Sequence, residues 1–474
     1  MGAALVLVLL VVNVSRANPS LTVARETIEE ESRDAPAPMG AQSESNPLPG
    51  QASAAPDDEG DKVWSVRCPT PAHPHRLHIE CIGKPFDFVA DTLSRDWAGF
   101  RAELAEFGII PTAGYATQLM GNPSGGKSQG FTYAAAFDML VAVDLHKLLG
   151  VPGLSFNVGA SWLTGQSLST EDIGNVFGVQ SVFSGSETIS LQQMFFQQQL
   201  FGGALTIAAG RLAPANAFAI LPVSGNYFSA GINPVPESLS LNDGAFAQSP
   251  PGVEWGAQAI YQPIPKVEVS VGIYNTNPNA AAGNKHGVDF ALQQGNRGVL
   301  TVAQVDYLVN QTQNATGMPG QYTIGGFYDS NTFSSLSNPG ASVSNNWAVY
   351  AMFQQMVFRD GGPGSQKGLT VWGELALSNK ASVSLIPYFW GGGLSYEGLI
   401  TARASDIASL GVITGRFSRH VPNASSETVI EANYQVTLTS WLSVTPDFQY
   451  VIRPSGTGRI KNAVVLGLQV AVTF

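Results

Sequence analysis

The sequence predicts an all-β fold, a transmembrane antiparallel β-barrel of about sixteen strands with a short helix ahead of it. Three observations lead there. Charged residues make up only 12% of the 474-residue chain, against roughly 25% in a soluble domain. No run of about 18 or more apolar residues accompanies that low charge, so the body holds no helix built to span a bilayer. From Ile109 to Phe474, apolar residues instead recur at alternate positions, as in strands with one face in lipid and one in a polar lumen.

The last strand shows the period best. Val464, Leu466, Leu468, Val470, Val472 and Phe474 share one face; Ala463, Val465, Gly467, Gln469, Ala471 and Thr473 share the other. Before it, Leu442, Val444, Phe448, Tyr450 and Ile452 alternate with Ser443, Thr445, Asp447 and Gln449. Ile430, Ala432, Tyr434, Val436 and Leu438 alternate with Glu431, Asn433, Gln435 and Thr437, and Val253, Trp255, Ala257, Ala259 and Tyr261 with Glu254, Gly256 and Gln258. A soluble sandwich alternates too, but its polar face meets bulk water and is rich in Lys and Glu. Here that face is Gln, Asn, Thr, Ser and Gly, with a few acids and arginines, which suits a confined lumen, while Tyr, Trp and Phe toward strand ends suit aromatic girdles.

Sixteen such segments begin near residues 109, 131, 154, 190, 204, 254, 267, 297, 320, 346, 368, 384, 407, 427, 441 and 463. An even count brings both barrel ends to one side of the membrane. Backbone groups in lipid are satisfied only if the sheet closes.

The first 108 residues divide differently. Residues 1–17 read as an export signal, with Ala3–Val12 as its apolar core and Ser15-Arg16-Ala17 placing small residues for cleavage after Ala17, though no Lys or Arg precedes the core. Residues 18–62 carry ten acids against three bases and almost no bulky apolar groups, the composition of a disordered linker. Residues 63–85 hold Cys68 and Cys81, flanking His73, His75 and His78. In an exported chain two cysteines usually pair as a disulfide; the alternative, zinc, matches no standard ligand spacing. Over residues 86–108, Leu93, Trp97, Phe100, Leu104 and Phe107 follow helical spacing. Their apolar face is expected to seek a partner, the barrel mouth being the nearest.

A net charge of −11 with no basic stripe excludes nucleic acid as a partner. Gly121-Asn122-Pro123-Ser124-Gly125-Gly126-Lys127-Ser128 satisfies the phosphate-loop pattern formally, but a strand rather than a helix follows, which makes it a hairpin turn. Asn314-Ala315-Thr316 and Asn423-Ala424-Ser425 read as ordinary loop residues. His146, His286 and His420 are scattered, and no Ser, His and acid cluster suggests a hydrolase.

The order of motifs resembles the carbohydrate-selective porin (OprB) family, from about Trp97 to Phe474. The resemblance is carried by Trp97, Arg101, Leu104 and Gly108-Ile109, then Asn122 with Gly125-Gly126, and Asp144-Leu145 with Lys147-Leu148 and Gly150. Gly210-Arg211, Gly272-Ile273-Tyr274-Asn275 and Gly320-Gln321-Tyr322 with Gly325-Gly326 follow. The strongest block is Gly393-Leu394-Ser395-Tyr396-Glu397-Gly398-Leu399-Ile400 with Arg403 and Asp406, continued by Glu431, Tyr434 and Pro446-Asp447 with Gln449-Tyr450-Val451 and Pro454. The resemblance implies a sixteen-stranded bacterial outer-membrane porin passing monosaccharides and related small sugars by diffusion, with no cofactor and no catalytic group. Residues 18–85 have no counterpart in it. The terminal Phe474 is the residue that barrel-assembly machinery favours.

Charges on strands must face water, because Arg or Lys at the lipid midplane costs about 2–4 kcal/mol. Arg211, Glu397, Arg403, Asp406, Glu431, Asp447 and Arg453 are therefore candidate pore-lining, sugar-contacting residues, or else ties between loops or salt bridges across the barrel wall. Trp372, Trp390 and Tyr396 are candidates to stack on a pyranose, or else girdle anchors. Residues 397–453 supply Glu397, Asp406, Glu431 and Asp447 beside Arg403, Arg416 and Arg453, so a lumen with near-balanced charge is expected. The alternatives are a porin for other solutes, an outer-membrane barrel hydrolase, or a structural barrel with a plugged lumen.

Overall fold

The computed structural model describes residues 92–474 except 184–187, 249–251, 277–285, 289–297, 312–314, 363–364 and 379. Strands with one lipid-compatible face cannot leave an edge unpaired, and these sixteen do not. They form one closed antiparallel barrel in which each strand pairs with its sequence neighbours and β1 closes on β16. The strands are β1 Ile109–Gly126, β2 Phe131–Asp144, β3 Leu154–Gly165, β4 Thr188–Leu200, β5 Leu205–Leu212, β6 Glu254–Ile264, β7 Val267–Thr276 and β8 Gly298–Val309. The second half comprises β9 Gly320–Ser334, β10 Ser342–Arg359, β11 Gly368–Ser378, β12 Tyr388–Glu397, β13 Ile407–Arg416, β14 Ser426–Thr439, β15 Leu442–Ile452 and β16 Lys461–Thr473. All sixteen expected segments are present, each starting within four residues of its expected position.

Both barrel termini lie at one end, here the near end. Some connections there are as short as residues 265–266 and 440–441. The far end carries the long connections 166–187, 213–253 and 277–297. The supposed phosphate loop is a far-end hairpin: β1 runs through Gly126 and β2 follows at Phe131.

The period-two faces resolve as expected. On β16, Ala463, Val465, Gln469, Ala471 and Thr473 are buried inward, while Leu466 and Leu468 are exposed outward. On β14 the buried positions are Glu427, Val429, Glu431, Asn433 and Gln435. Phe131, Tyr133, Trp162, Ile189, Phe196, Ile273 and Ile324 stand exposed on the outer wall.

The segment before β1 departs from expectation. Residues 86–91 lie outside the described residues, and the α-helix is only α1 Phe100–Glu106, entered through a 3-10 turn at Trp97–Gly99. Trp97, Ala98 and Gly99 all have positive φ (50°, 59° and 93°), which breaks the regular helix that the spacing suggested. Its orientation is also the reverse. Leu93, Trp97, Phe100 and Phe107 are exposed, whereas Arg101 and Ala105 are buried. The Arg101 guanidinium decides this, because a buried cation needs acceptors. Nη1 donates to Thr92 Oγ1 (3.1 Å), Ser94 Oγ (3.3 Å) and the Arg95 carbonyl (3.1 Å). Nη2 donates to the main-chain oxygens of Pro111 (3.0 Å) and Phe474 (2.9 Å). Burial lowers the pKa to about 10, opposed by the charge of Asp96, so the group remains a cation at neutral pH. The segment is thus bolted to the β1–β16 seam.

The pore and its inward collar

Eleven acids and four bases lie on the sixteen strands, and they are sorted by position. Nine of the acids, among them Asp138, Glu268, Asp306, Asp329, Glu374, Glu431 and Asp447, are buried on inward-facing positions, while Asp144 and Glu397 end β2 and β12 half-buried at the near end. The bases are Arg211, Arg359, Arg416 and Lys461, each first, last or next to last in its strand. The near-balanced lumen expected from residues 397–453 is therefore not formed. Arg403 sits in a near-end turn, Arg416 is exposed at the far end of β13 and Arg453 lies beyond β15.

Toward the far end the inner wall is apolar, with Leu300, Val302, Phe327, Tyr350, Trp372, Phe389, Val429, Val451 and Val465 all buried. They are covered by two connections that fold into the barrel. The 213–253 connection carries Phe218-Ala219-Ile220-Leu221-Pro222-Val223, which must be buried, and the inner wall is where it goes. Phe218 packs edge-on to Tyr274 (6.4 Å), Phe246 stacks on Phe327 (5.3 Å), and Phe177 of the 166–187 connection meets Phe389 (5.5 Å).

Buried loop backbone must find acceptors, and inward side chains supply them in sequence around the wall. Ala219 N–H donates to Gln304 Oε1 on β8 (2.8 Å), and Gln321 on β9 donates to the Ile220 carbonyl (3.3 Å). Val223 N–H donates to Gln354 Oε1 on β10 (2.9 Å), and Asn226 Nδ2 to Ser395 Oγ on β12 (2.9 Å). On β14, Glu431 accepts the N–H groups of Phe228 (2.6 Å) and Ser229 (2.9 Å). The 166–187 connection continues the path. Glu427 accepts Val176 (2.8 Å) and Phe177 (2.7 Å), Gln449 on β15 donates to the Val179 carbonyl (3.0 Å), and Gln118 on β1 donates to Ser181 Oγ (3.3 Å). Ser181 N–H to Phe228 O (2.8 Å) and Ala230 N–H to Gly178 O (2.7 Å) join the two loops. They form one collar, traced along the wall from β8 round to β1.

Tyr227 seats the collar. Its hydroxyl accepts Trp372 Nε1–H (2.8 Å) and donates toward the Leu394 and Leu410 carbonyls (2.9 and 3.1 Å). The wall there is bare: a Cβ on Gly411 would stand 2.8 Å from Tyr227 Cε1 and 3.1 Å from Ile232 Cδ1. Burial pushes the phenol well above its ordinary range, so it stays a donor. Nearer the other end, the inner wall turns to amides, hydroxyls and carboxylates, with Gln197, Ser270, Asp306, Thr323, Ser395, Ser409, Asn433, Gln435, Thr445, Asp447 and Gln469.

The candidate residues fall into three groups. Trp372, Glu431 and Asp447 face inward and are buried; the first two hold the collar, and Asp447 accepts Gln449 Nε2 (2.9 Å). Glu397 ends β12 at the near mouth, half-buried on the inward face. The others lie elsewhere. Arg403 makes a double hydrogen bond to Asp406 (2.8 and 2.9 Å) and a third to the Thr437 carbonyl (3.0 Å), closing the β12–β13 turn. Tyr434 Oη and Thr437 N–H complete the Asp406 shell (2.9 and 3.0 Å). Although its burial counts against it, these donors hold the Asp406 carboxyl below its usual range. Arg211, buried at the far end of β5 opposite Trp255 and Met194, donates to the Val253 carbonyl (2.7 Å). Arg453 is exposed after β15. Trp390 is exposed on the outer wall, and Tyr396 on the same face meets Phe358 (6.3 Å), the placement of girdle residues. Cys68 and Cys81 lie outside the described residues. Sequence reasoning missed Tyr227, Glu427, Gln304, Gln354 and Gly411; the apolar run 218–223 was the signal available.

A closed barrel with a lipid-facing exterior, short turns at the end holding both termini and loops folded in to narrow a polar lumen defines an outer-membrane diffusion porin. The family model of the carbohydrate-selective porin, OprB family, matches residues 128–474, and the chain belongs to that family. Porin B of Pseudomonas aeruginosa is 26% identical over 425 residues, covering 80% of this chain and 90% of that protein. The high-pH structure of Pseudomonas putida OprB superposes with a TM-score of 0.75 at 24% identity, covering 82% of this chain and all of that one; its low-pH structure gives 0.55 at 21%. The protein is an outer-membrane carbohydrate porin and not an enzyme. Because outer-membrane barrels keep short turns in the periplasm and long loops outside, the near end is assigned as periplasmic and the far end as extracellular.

Proposed function

We propose that this porin passes neutral, monosaccharide-sized sugars along the lumen that the collar narrows. The observation that carries this is the chemistry inside: the strands bring amides, hydroxyls and acids inward and leave their bases at the rims. Amide and hydroxyl groups exchange hydrogen bonds with sugar hydroxyls one for one. Each bond is weak enough to release solute on the far side, as conduction requires. Glu397, Asp447 and the amides near them are the first sugar contacts in this reading. Glu431 and Trp372 act through the collar, Arg403 and Asp406 through a periplasmic turn, and Arg211 and Arg453 at the extracellular end.

Other parts of the reading concern the chain's processing. Cleavage after Ala17, a dispensable linker over 18–62 and a Cys68–Cys81 disulfide fit an exported barrel. Phe474 is assigned to recognition by the assembly machinery. Proteoliposome swelling tests the main claim. Glucose is expected to enter much faster than a zwitterionic amino acid of similar size; equal rates would make this a general porin.

A further inference from the structure

The outer wall is not uniform at its extracellular end. Around β2–β4 it is aromatic and aliphatic, with Phe131, Tyr133, Trp162 and Ile189 exposed. Over β13–β16 it turns polar. Thr414 and Thr428 pair hydroxyl to hydroxyl (2.7 Å), and Asn462 Nδ2 donates to Tyr450 Oη (3.1 Å), all four on outward-facing positions. Cations stand at the rim above this ledge. Arg416 ends β13, outward and exposed; Arg419, Arg453 and Arg459 are exposed in the two turns; Lys461 opens β16. Gly126 pairs with Lys461, which brings Lys127 to the end of the same arc. Five adjacent strands at about 4.8 Å spacing give it a span of roughly 20 Å. Acids do not neutralise it one for one: Glu427 is buried under the collar, and Glu171 and Asp172 stand only at the Lys127 end, where Lys127 Nζ donates to the Thr170 carbonyl (2.6 Å). Among the described residues of the other extracellular connections the only Lys or Arg is Lys380, bonded to the Ser344 carbonyl (2.6 Å).

We propose that this arc docks the phosphorylated sugar headgroup of the glycolipid that forms the outer leaflet. Guanidinium and ammonium groups are the side chains that bind phosphate, and clustered bases beside a membrane-spanning segment recognise anionic headgroups. The hydroxyl and amide ledge beneath matches sugar rather than acyl chain. Because the ledge faces the membrane and not the lumen, the occupant is a lipid and not a solute entering the mouth.

The test uses the full chain in detergent with purified bis-phosphorylated lipid A and with its dephosphorylated form. The wild-type protein is expected to retain the phosphorylated lipid through gel filtration and the dephosphorylated one about tenfold less. Combined Arg416→Gln, Arg459→Gln and Lys461→Gln is expected to lower retention of the phosphorylated lipid at least about tenfold, with heat-modifiable migration showing that the barrel is formed. The single Arg459→Gln, in a turn, gives a smaller loss should the triple variant not assemble. Lys380→Gln, outside the arc, is expected to bind as wild type. Equal retention of the two lipids, unchanged binding in the arc variants, or equal loss in Lys380→Gln overturns the proposal. Displacement of lipid A by millimolar inorganic phosphate alone would also overturn it, in favour of a soluble-anion site.

Discussion

The hydroxyl of Tyr227 accepts the indole N–H of Trp372 at 2.8 Å, with the two rings edge to face at 5.3 Å, inside a notch that Gly411 leaves in the barrel wall. One loop residue is thereby tied to three strands, since its proton points toward carbonyls on β12 and β13.

Tyr227→Phe keeps the ring and removes the tie. The Trp372 N–H is then buried without an acceptor, at a cost of about 1–3 kcal/mol. The barrel should still assemble, since its ladders do not involve this group. Single-channel recordings in planar bilayers should show larger current noise as the collar loosens. Gly411→Val, which intrudes on both Tyr227 and Ile232, should act more strongly. Wild-type noise in both variants would show that the collar is held without this contact.

Glu431 offers a second handle on the same collar. Glu431→Ala strips the acceptor from the Phe228 and Ser229 N–H groups, each costing about 1–3 kcal/mol when left unmet in the interior. A released 213–253 connection should widen the path. Liposome swelling is expected to show di- and trisaccharides entering that the wild type holds back. Glu431→Gln, which keeps one acceptor oxygen, should lie between. Unchanged size exclusion in Glu431→Ala would mean that the collar does not set the cut-off.

How far the sequence reveals this molecule depends on which physical contrast each position records. All sixteen strands are legible because lipid and lumen differ at every second residue, and Phe474, Leu466 or Ile430 cannot exchange faces with Gln469 or Glu431. The collar is not legible from those strands. An inward Gln304 or Glu431 says only that lipid is absent; whether water or a loop backbone covers it depends on a segment 80 or more residues away. The run Phe218–Val223 was the local trace, an apolar stretch in a connection too long for a simple turn. Helix α1 misleads for another reason. Its spacing identifies an apolar stripe, but Arg101 on the other side has the acceptors, and the acceptors decide which side docks.

Arg101 also makes the seam testable. Its five acceptors include the main-chain oxygen of Phe474, whose own N–H donates to Ala113 (2.8 Å) and whose ring meets Phe137 (5.9 Å). Arg101→Leu should lower the temperature at which the heat-modifiable form is lost, because Pro111 and Phe474 lose a charged donor of about 1.5–3 kcal/mol each. Deleting Phe474 should reduce the amount of assembled barrel as well. If Arg101→Leu melts like wild type, the segment before β1 contributes nothing to closure.

Arg403→Ala separates a turn from a sugar site. Arg403 is spent on Asp406 and the Thr437 carbonyl, and Tyr434 beside it faces outward. The variant is expected to leave glucose block of ion current intact while making residues 398–406 easier to cleave by protease from the periplasmic side. Weakened glucose block would return Arg403 to the pore lining.

The pH response of the collar turns on Glu237, which accepts the Gly178 N–H (3.0 Å) and so links its two loops. Burial raises its pKa from 4.5 to about 8, with the Glu427 charge adding to the rise and the Gly178 hydrogen bond opposing it. The sign follows from proton counting. Between pH 4.5 and about 8 the released loop has lost its proton while the seated one keeps it, so the seated state loses ground as pH rises. Its full stability is present below the lower value and is gone once pH passes the upper. Amide exchange across residues 174–183, corrected for intrinsic rates, should therefore show protection falling from pH 5 to pH 8.5. Glu237→Gln, neutral throughout, should flatten that profile while keeping an acceptor for Gly178. Protection that rises with pH in the wild type, or falls equally in Glu237→Gln, would assign the pH response to another group.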